Sequence, residues 1–227
     1  MGSPTPERPQ PALVEVDVDT SAYEQGHIAG AVGWNWQSQL QQNVRRDIIS
    51  KEEMEQLLGN AGIDNNTTIV LYGDNNNWFA AWASWQLKYY GHRDVKLMNG
   101  GRAKWVAENR PLTTQAANPS RKTYRASNPN ENIRAYRDYV LSAVNQGNVA
   151  LVDVRSPQEF SGELLAPANL PQEGSQRGGH IPRAASAYRF QKPLGPFLKL
   201  SGMLLSSFLH NLSAALCWLF FSLTVRR

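Results

Sequence analysis

Between Leu13 and Leu112 the apolar residues switch repeatedly between two spacings, and each switch predicts a new element. LVEVDVD, over 13–19, alternates in the manner of a strand. Ser50 followed by Glu53 has the spacing of a capping box; behind it Met54, Leu57, Leu58 and Ala61 recur on one helix face, and Gly62 supplies the stop. TTIVLY, over 67–72, is the apolar, β-branched run of a strand buried on both faces. Trp78, Phe79, Trp82, Trp85 and Tyr89 lay an aromatic stripe along the next helix, which ends at Gly91. DVKLM (94–98) predicts a third strand and GRAKWVAEN (101–109) a third helix. Strands alternating with helices predict an α/β fold, a parallel sheet covered by helices on both faces, with the aromatic stripe in its core.

The pattern then stops and starts again. Residues 113–133, TTQAANPSRKTYRASNPNENI, lack apolar periodicity and predict a linker. Helical spacing resumes with Ile133, Tyr136, Tyr139, Val140 and Val144, and a strand-like VALVDVRS follows. The opening now repeats itself. LVEVD (13–17) matches LVDVR (151–155), which sets Glu15 opposite Asp153; Tyr23 and Phe160 hold similar places, and HIAGA (27–31) matches HIPRA (180–184). The second copy carries an insertion, SGELLAPANLPQEGSQRGG, ahead of its His-Ile pair. Beyond it, residues 200–225 contain no Asp, Glu, Lys or Arg, a stretch long enough to cross a bilayer as a helix. The expected division is a disordered leader over 1–10, a complete unit over 11–112, the linker over 113–133, a partial second unit over 134–190 and a divergent apolar tail over 191–227.

Charge and cysteine usage narrow the chemistry. The formal charge is +4, but the basic residues are scattered and no Lys/Arg run interleaves with aromatics, so no nucleic-acid partner is expected. The leader, MGSPTPERPQP, has no apolar core and does not read as a secretory signal. Cys217 is the single cysteine; that excludes an internal disulfide and a Cys-rich zinc site, and suits a reducing compartment such as the cytoplasm. Acidic residues and histidines are not clustered at ligand spacing, so no metal and no cofactor is expected.

One stretch poses a chemical question. LYGDNNNWFA, over 71–80, runs from a strand through a polar loop into a helix N-terminus, where many α/β proteins hold an anion or a nucleophile. This loop offers Gly73, Asp74, Asn75, Asn76 and Asn77 and no nucleophile. On the residues alone, Asp74 and the asparagines are expected to cap the Trp78 helix. His27 and His180 each open a His-Ile turn and are expected to brace the loop that enters the next strand. Asp153, Arg155 and His180 fall on the pocket side of the second unit, with bracing and substrate contact both open to Asp153 and Arg155.

LVDVRSPQEFSG…GHIPRA in the second unit resembles the rhodanese family of thiosulfate and 3-mercaptopyruvate sulfurtransferases. So do VEVDVDTSAY…HIAGAV, IVLYGDNNNWFAAW and LMNGGRAKWVAENRPL in the first. Tandem members have a non-catalytic N-terminal domain and a C-terminal one that carries the cysteine. The resemblance covers the first unit nearly end to end and the second from about Ile133 to Ala184. It implies a small anionic sulfur donor and a cysteine persulfide intermediate, without cofactor. It also implies that Tyr72 stands where active loops have the tyrosine of a Tyr-Cys-x-x-Gly-x-Arg pattern, with Gly73–Asp74 at the cysteine position. The first unit is then the non-catalytic half.

His27 and His180 are 153 residues apart, and the same offset from Tyr72 places the second loop at 225, where the sequence stops. Cys217, in SAALCWLFFSL, has no glycine or arginine beside it and is expected to be an inert thiol. Two readings result. The first is a sulfurtransferase by descent whose sequence after Ala184 is an out-of-frame or intron-derived extension, with negligible turnover. The second is a non-catalytic binding module tethered to a membrane by 200–225. In either case the partial second unit is expected to leave an unpaired sheet edge and exposed apolar surface.

Overall fold

The computed structural model describes residues 10–44, 46–168 and 175–187. The expected leader (save Gln10), the tail over 191–227, the charge-free stretch over 200–225 and Cys217 lie outside the described residues. The chain divides into two compact units between Glu131 and Asn132.

Four parallel strands build the first unit: β1 (Ala12–Asp17), β2 (Val32–Asn35), β3 (Ile69–Tyr72) and β4 (Val95–Leu97), in the order β2-β1-β3-β4. Val14 of β1 pairs with Val32 on one side and Leu71 on the other, so β1 and β3 are central and the sheet is strongly apolar there. Val14, Val16, Ile69 and Leu71 are fully buried. The period of two along β1 sends Glu15 and Asp17 to the opposite face from the valines, and they too are buried. β3 begins at Ile69, not Thr67, because both threonine hydroxyls are engaged: Thr67 Oγ1 donates to Asp64 and Thr68 Oγ1 to Asp94.

The helices follow the predicted spacing. α1 (Ser21–Gln25) and α2 (Trp36–Gln39) are short. α3 (Lys51–Asn60) opens with the expected capping box: Ser50 Oγ accepts from the Glu53 amide and Glu53 accepts from the Ser50 amide. Met54 and Leu58 face the core. In α4 (Trp78–Tyr89), Phe79, Trp82 and Tyr89 are buried, whereas Trp78 and Trp85 are only half-buried, so the stripe is core along part of its width. α5 (Gly101–Ala107) starts after Gly100, at φ 82°.

The segment expected to be a linker does not hang free. Thr113 exchanges backbone hydrogen bonds with His27, the Lys122 amide donates to Gly59, and the Ser127 and Asn130 amides donate to Tyr90 and Tyr89. Tyr124 and Ala126 are buried, and the Ala126 amide donates to Glu55. Apart from a 3-10 turn over Glu131–Ile133 the segment forms no regular element, and so has no periodicity. It is held by side chains and backbone contacts spaced irregularly along it, so the compact first unit extends beyond Leu112 to Glu131.

The second unit contains α6 (Arg137–Gln146), β5 (Val152–Asp153), α7 (Pro157–Ser161) and β6 (Ala185–Ser186). The strand-like run VALVDVRS yields only two strand residues, paired in parallel as Val152↔Ala185 and Asp153↔Ser186. β1 is held on both sides, but among the described residues β5 pairs on one side only. Tyr136, Tyr139, Leu141 and Leu165 are exposed on this unit. Arg183, where HIAGA has Gly30, adopts the same left-handed backbone: φ is 70° at Arg183 and 80° at Gly30.

Candidate functional site

The candidate site forms where β1 and β3 end and α4 and α5 begin. β3 delivers Tyr72, Gly73 and Asp74, and a turn over Asn75–Asn77 leads into α4. The three asparagines take φ values of 49°, 56° and 64°, three left-handed residues in succession. Asn is the side chain that tolerates this region best after glycine.

Asp74 and Asn77 depart from the capping role expected from the residues. Asp74 and Asn77 make no side-chain cap to the helix. The Asn77 amide instead straps the loop down: its Oδ1 accepts from the Gly73 amide at 3.0 Å and its Nδ2 donates to the Met98 carbonyl at 2.7 Å. The left-handed turn has folded Asn77 back over β3, where the helix amides are out of its reach. Asp74 meets β1 through its backbone, its amide donating to Asp17 Oδ1 at 2.8 Å.

Beneath the loop lies a buried charge cluster. Arg102 Nη1 donates to Glu15 Oε1 at 2.8 Å and Nη2 donates to the carbonyls of Ala22 and Gly26. The Arg102 amide donates to the Gly73 carbonyl, and Nε stands 3.9 Å from Asp74 Oδ2. Burial pushes the Glu15 carboxyl up, opposed by the Tyr72 hydroxyl and Arg102. Burial likewise raises Asp17 to about 7; the Asp74 amide pulls it down, while the Asp74 and Glu15 carboxylates push it up. Tyr72 is driven far above the usual phenol range by burial and by Glu15, and its oxygen accepts from the Ile28 amide at 3.1 Å. Two open recesses of about 370 and 550 Å³ lie elsewhere, and neither is lined by a loop residue.

The backbone at Gly73 is closely packed. A Cβ at Gly73 would collide with the Val16 carbonyl and stand 3.0 Å from Asp17 Oδ1. Glycine is therefore required there by close approach. Asp74, the next residue, presents a half-buried carboxylate, a hard base with little affinity for sulfane sulfur.

The candidate residues of the second unit are brought together. Arg155 binds Asp153 through Nε (3.1 Å to Oδ1) and Nη2 (2.7 Å to Oδ2), and Nη2 also donates to the Gly179 carbonyl at 2.7 Å. His180 stacks on Phe160 at 3.7 Å between centroids, with Nδ1 donating to the Phe160 carbonyl. His27 does the same with Tyr23, at 3.8 Å. Thus Glu15 and the Gly26 carbonyl are bridged by Arg102 from α5, and Asp153 and the Gly179 carbonyl by Arg155 from two residues past the end of β5. Position 17, which pairs with 155 in the sequence repeat, carries the opposite charge. Asp17 and Arg102 were not singled out from sequence as site residues. The inversion of Arg155 to Asp17 between LVDVR and LVEVD was the available signal.

Residues 6–108 match the family model of the rhodanese-like domain. The chain is 58% identical over 174 residues to the "Putative thiosulfate sulfurtransferase" of Haloferax volcanii, covering 77% of this chain and 60% of that protein. It is 53% identical over 176 residues to the protein so named from Mycolicibacterium smegmatis, covering 78% and 63%. The chain thus spans about three fifths of the length of these curated relatives. Among solved structures, the 3-mercaptopyruvate sulfurtransferase SseA from Escherichia coli matches with a TM-score of 0.69 at 19% identity, over 96% of this chain and 89% of that one. Tum1 from Saccharomyces cerevisiae matches with a TM-score of 0.63 at 15% identity, over 79% and 64%. At these identities the two structures speak for the fold. Residues 6–108 thus carry a rhodanese-like domain.

Proposed function

We propose that this chain descends from a tandem-domain sulfurtransferase of the thiosulfate or 3-mercaptopyruvate type, and that its first unit is the non-catalytic half. In that chemistry a cysteine thiolate attacks the donor's transferable sulfur; sulfite leaves from thiosulfate, or the enolate of pyruvate, which then takes up a proton, leaves from 3-mercaptopyruvate. The resulting persulfide passes its outer sulfur to cyanide or a thiol, which regenerates the thiolate. The observation that carries the reading is the loop at the end of β3. Gly73 is wedged against Val16 and Asp17, Asp74 offers oxygen only, and Arg102 is already committed to Glu15. The site is also acidic, with Glu15, Asp17 and Asp74 around one guanidinium, and so repels an anionic donor.

The matched His–aromatic stacks and the matched guanidinium bridges support reading the second unit as the start of a second copy. Its catalytic loop has no counterpart among the described residues, and Cys217 lacks the glycines and arginine of such a loop. On this reading the chain turns over little or no sulfur donor. A thiosulfate–cyanide assay on purified protein, beside Cys217→Ser, tests this. Turnover indistinguishable from the variant is expected; clear turnover that the substitution abolishes would overturn it.

The charge-free stretch over 200–225 favours a second reading, a binding module held at a membrane. Among the described residues no helix is long and apolar enough to cross one. Extraction by carbonate without detergent would eliminate the spanning form, whereas retention in the membrane fraction would support it.

A further inference from the structure

We propose that Asn99 is a site of spontaneous deamidation, converted in the folded chain to isoaspartate and aspartate through a cyclic imide formed with Gly100. The sequence confines this chemistry to one place. Ring closure needs the peptide nitrogen of the following residue to reach the asparagine side chain, and a side chain on that residue shields the nitrogen. Asn99 is followed by glycine, whereas every other asparagine in the chain is followed by a residue that carries a side chain.

The fold explains the glycine. Met98 to Gly101 form the turn between β4 and α5, closed by the Gly101 amide donating to the Met98 carbonyl at 3.1 Å. Gly100 has φ 82° and ψ −6°, the third position of a type II turn, which requires a left-handed residue. A Cβ there would also stand 2.5 Å from Lys104 Cβ. The turn demands glycine, and with asparagine before it the turn carries the reactive pair.

Among the described residues nothing holds that pair in place. Asn99 is exposed and its carboxamide makes no hydrogen bond. The Gly100 N–H belongs to the central peptide of the turn and is likewise unpaired. Other asparagines of the first unit are pinned. The Asn77 carboxamide is held by the Gly73 amide and the Met98 carbonyl, and that of Asn65 by the amide and carbonyl of Arg125.

The bond changes balance with water as the one co-reactant. The Gly100 nitrogen bonds to Asn99 Cγ and gives up its proton, and the side-chain nitrogen leaves as ammonia. Water then opens the imide. Cleavage at Cγ restores the main chain with aspartate. Cleavage at the main-chain carbonyl leaves isoaspartate, whose backbone runs through Cγ and is longer by a methylene. That methylene falls between two anchors of the loop after β3: the Met98 carbonyl, which accepts from Asn77, and the Arg102 amide, which donates to Gly73.

Peptide mapping by mass spectrometry of the full chain, aged at mildly alkaline pH both folded and in urea, tests the assignment. Conversion at Asn99 in the folded chain is expected within about tenfold of its rate in urea. It should also run at least about tenfold faster than at Asn65 or Asn77, where side-chain hydrogen bonds must break first. Isoaspartate and aspartate should both form, because an imide opens at either carbonyl; direct hydrolysis of the carboxamide gives aspartate alone. A larger slowing on folding, a smaller lead over Asn65 and Asn77, or a product free of isoaspartate would overturn the proposal.

Discussion

Arg102 and Arg155 show how a single side chain can do one job from two places in the sequence. In each unit a guanidinium ties a strand carboxylate to the carbonyl just before a His-Ile turn. Arg155 reaches from two residues away, whereas Arg102 crosses from α5. Pattern reading caught the first pair because its spacing is short and repeated, and missed the second because no periodicity links Glu15 to a helix 87 residues later. Removing the distant partner should be severe, since it strands a buried carboxylate. Arg102→Met is expected to destabilise the first unit by about 3–5 kcal/mol at pH 7.5 in urea denaturation. The loss should shrink towards pH 5. Without its cation Glu15 binds a proton more tightly when folded than unfolded, so stability lost at high pH returns as pH falls. A pH-independent loss would mean that packing, not charge, sets the effect.

Among the elements, the longer regular ones were plain in the sequence, whereas the short β2, α1 and α2 and the irregular segments were not. The capping box at Ser50, the buried β3 and the α4 boundaries follow from residue spacing, because each repeats a local geometry. The segment from Thr113 to Glu131 has no such repeat, and its composition resembles that of a free linker. Its anchorage depends on partners far along the chain: Thr113 on His27, Lys122 on Gly59, Ala126 on Glu55. Tyr124 is its main buried side chain and faces His92, whose Nδ1 lies 3.0 Å from the Tyr124 hydroxyl. Tyr124→Ala is expected to cost the first unit about 3 kcal/mol, the scale of a buried large-to-small change. A free linker would lose under about 0.5 kcal/mol, as exposed positions do. Thermal or chemical denaturation of the full chain decides between them. The Asn75–Asn77 turn was misread for a related reason. Asn is a good helix cap in sequence, but the side chain of left-handed Asn77 is taken by the Gly73 amide and the Met98 carbonyl.

At the scale of the whole molecule, the two units differ in how fully their sheets are flanked. The first has four strands with two central ones; among its described residues the second has two strands and exposed Tyr139, Leu141 and Leu165. Sequence repetition made that asymmetry visible, since LVEVD and HIAGA recur while LYGDNNNWFA does not. The functional account comes down to sulfur: the first unit offers none at its loop, and the chain has one thiol, at Cys217. Intact-protein mass spectrometry after incubation with thiosulfate, before any acceptor is added, asks directly whether a persulfide forms. The account predicts an unchanged mass for the wild type and for Cys217→Ser alike. One added sulfur atom on the wild type, absent from Cys217→Ser and removed by cyanide, would contradict it.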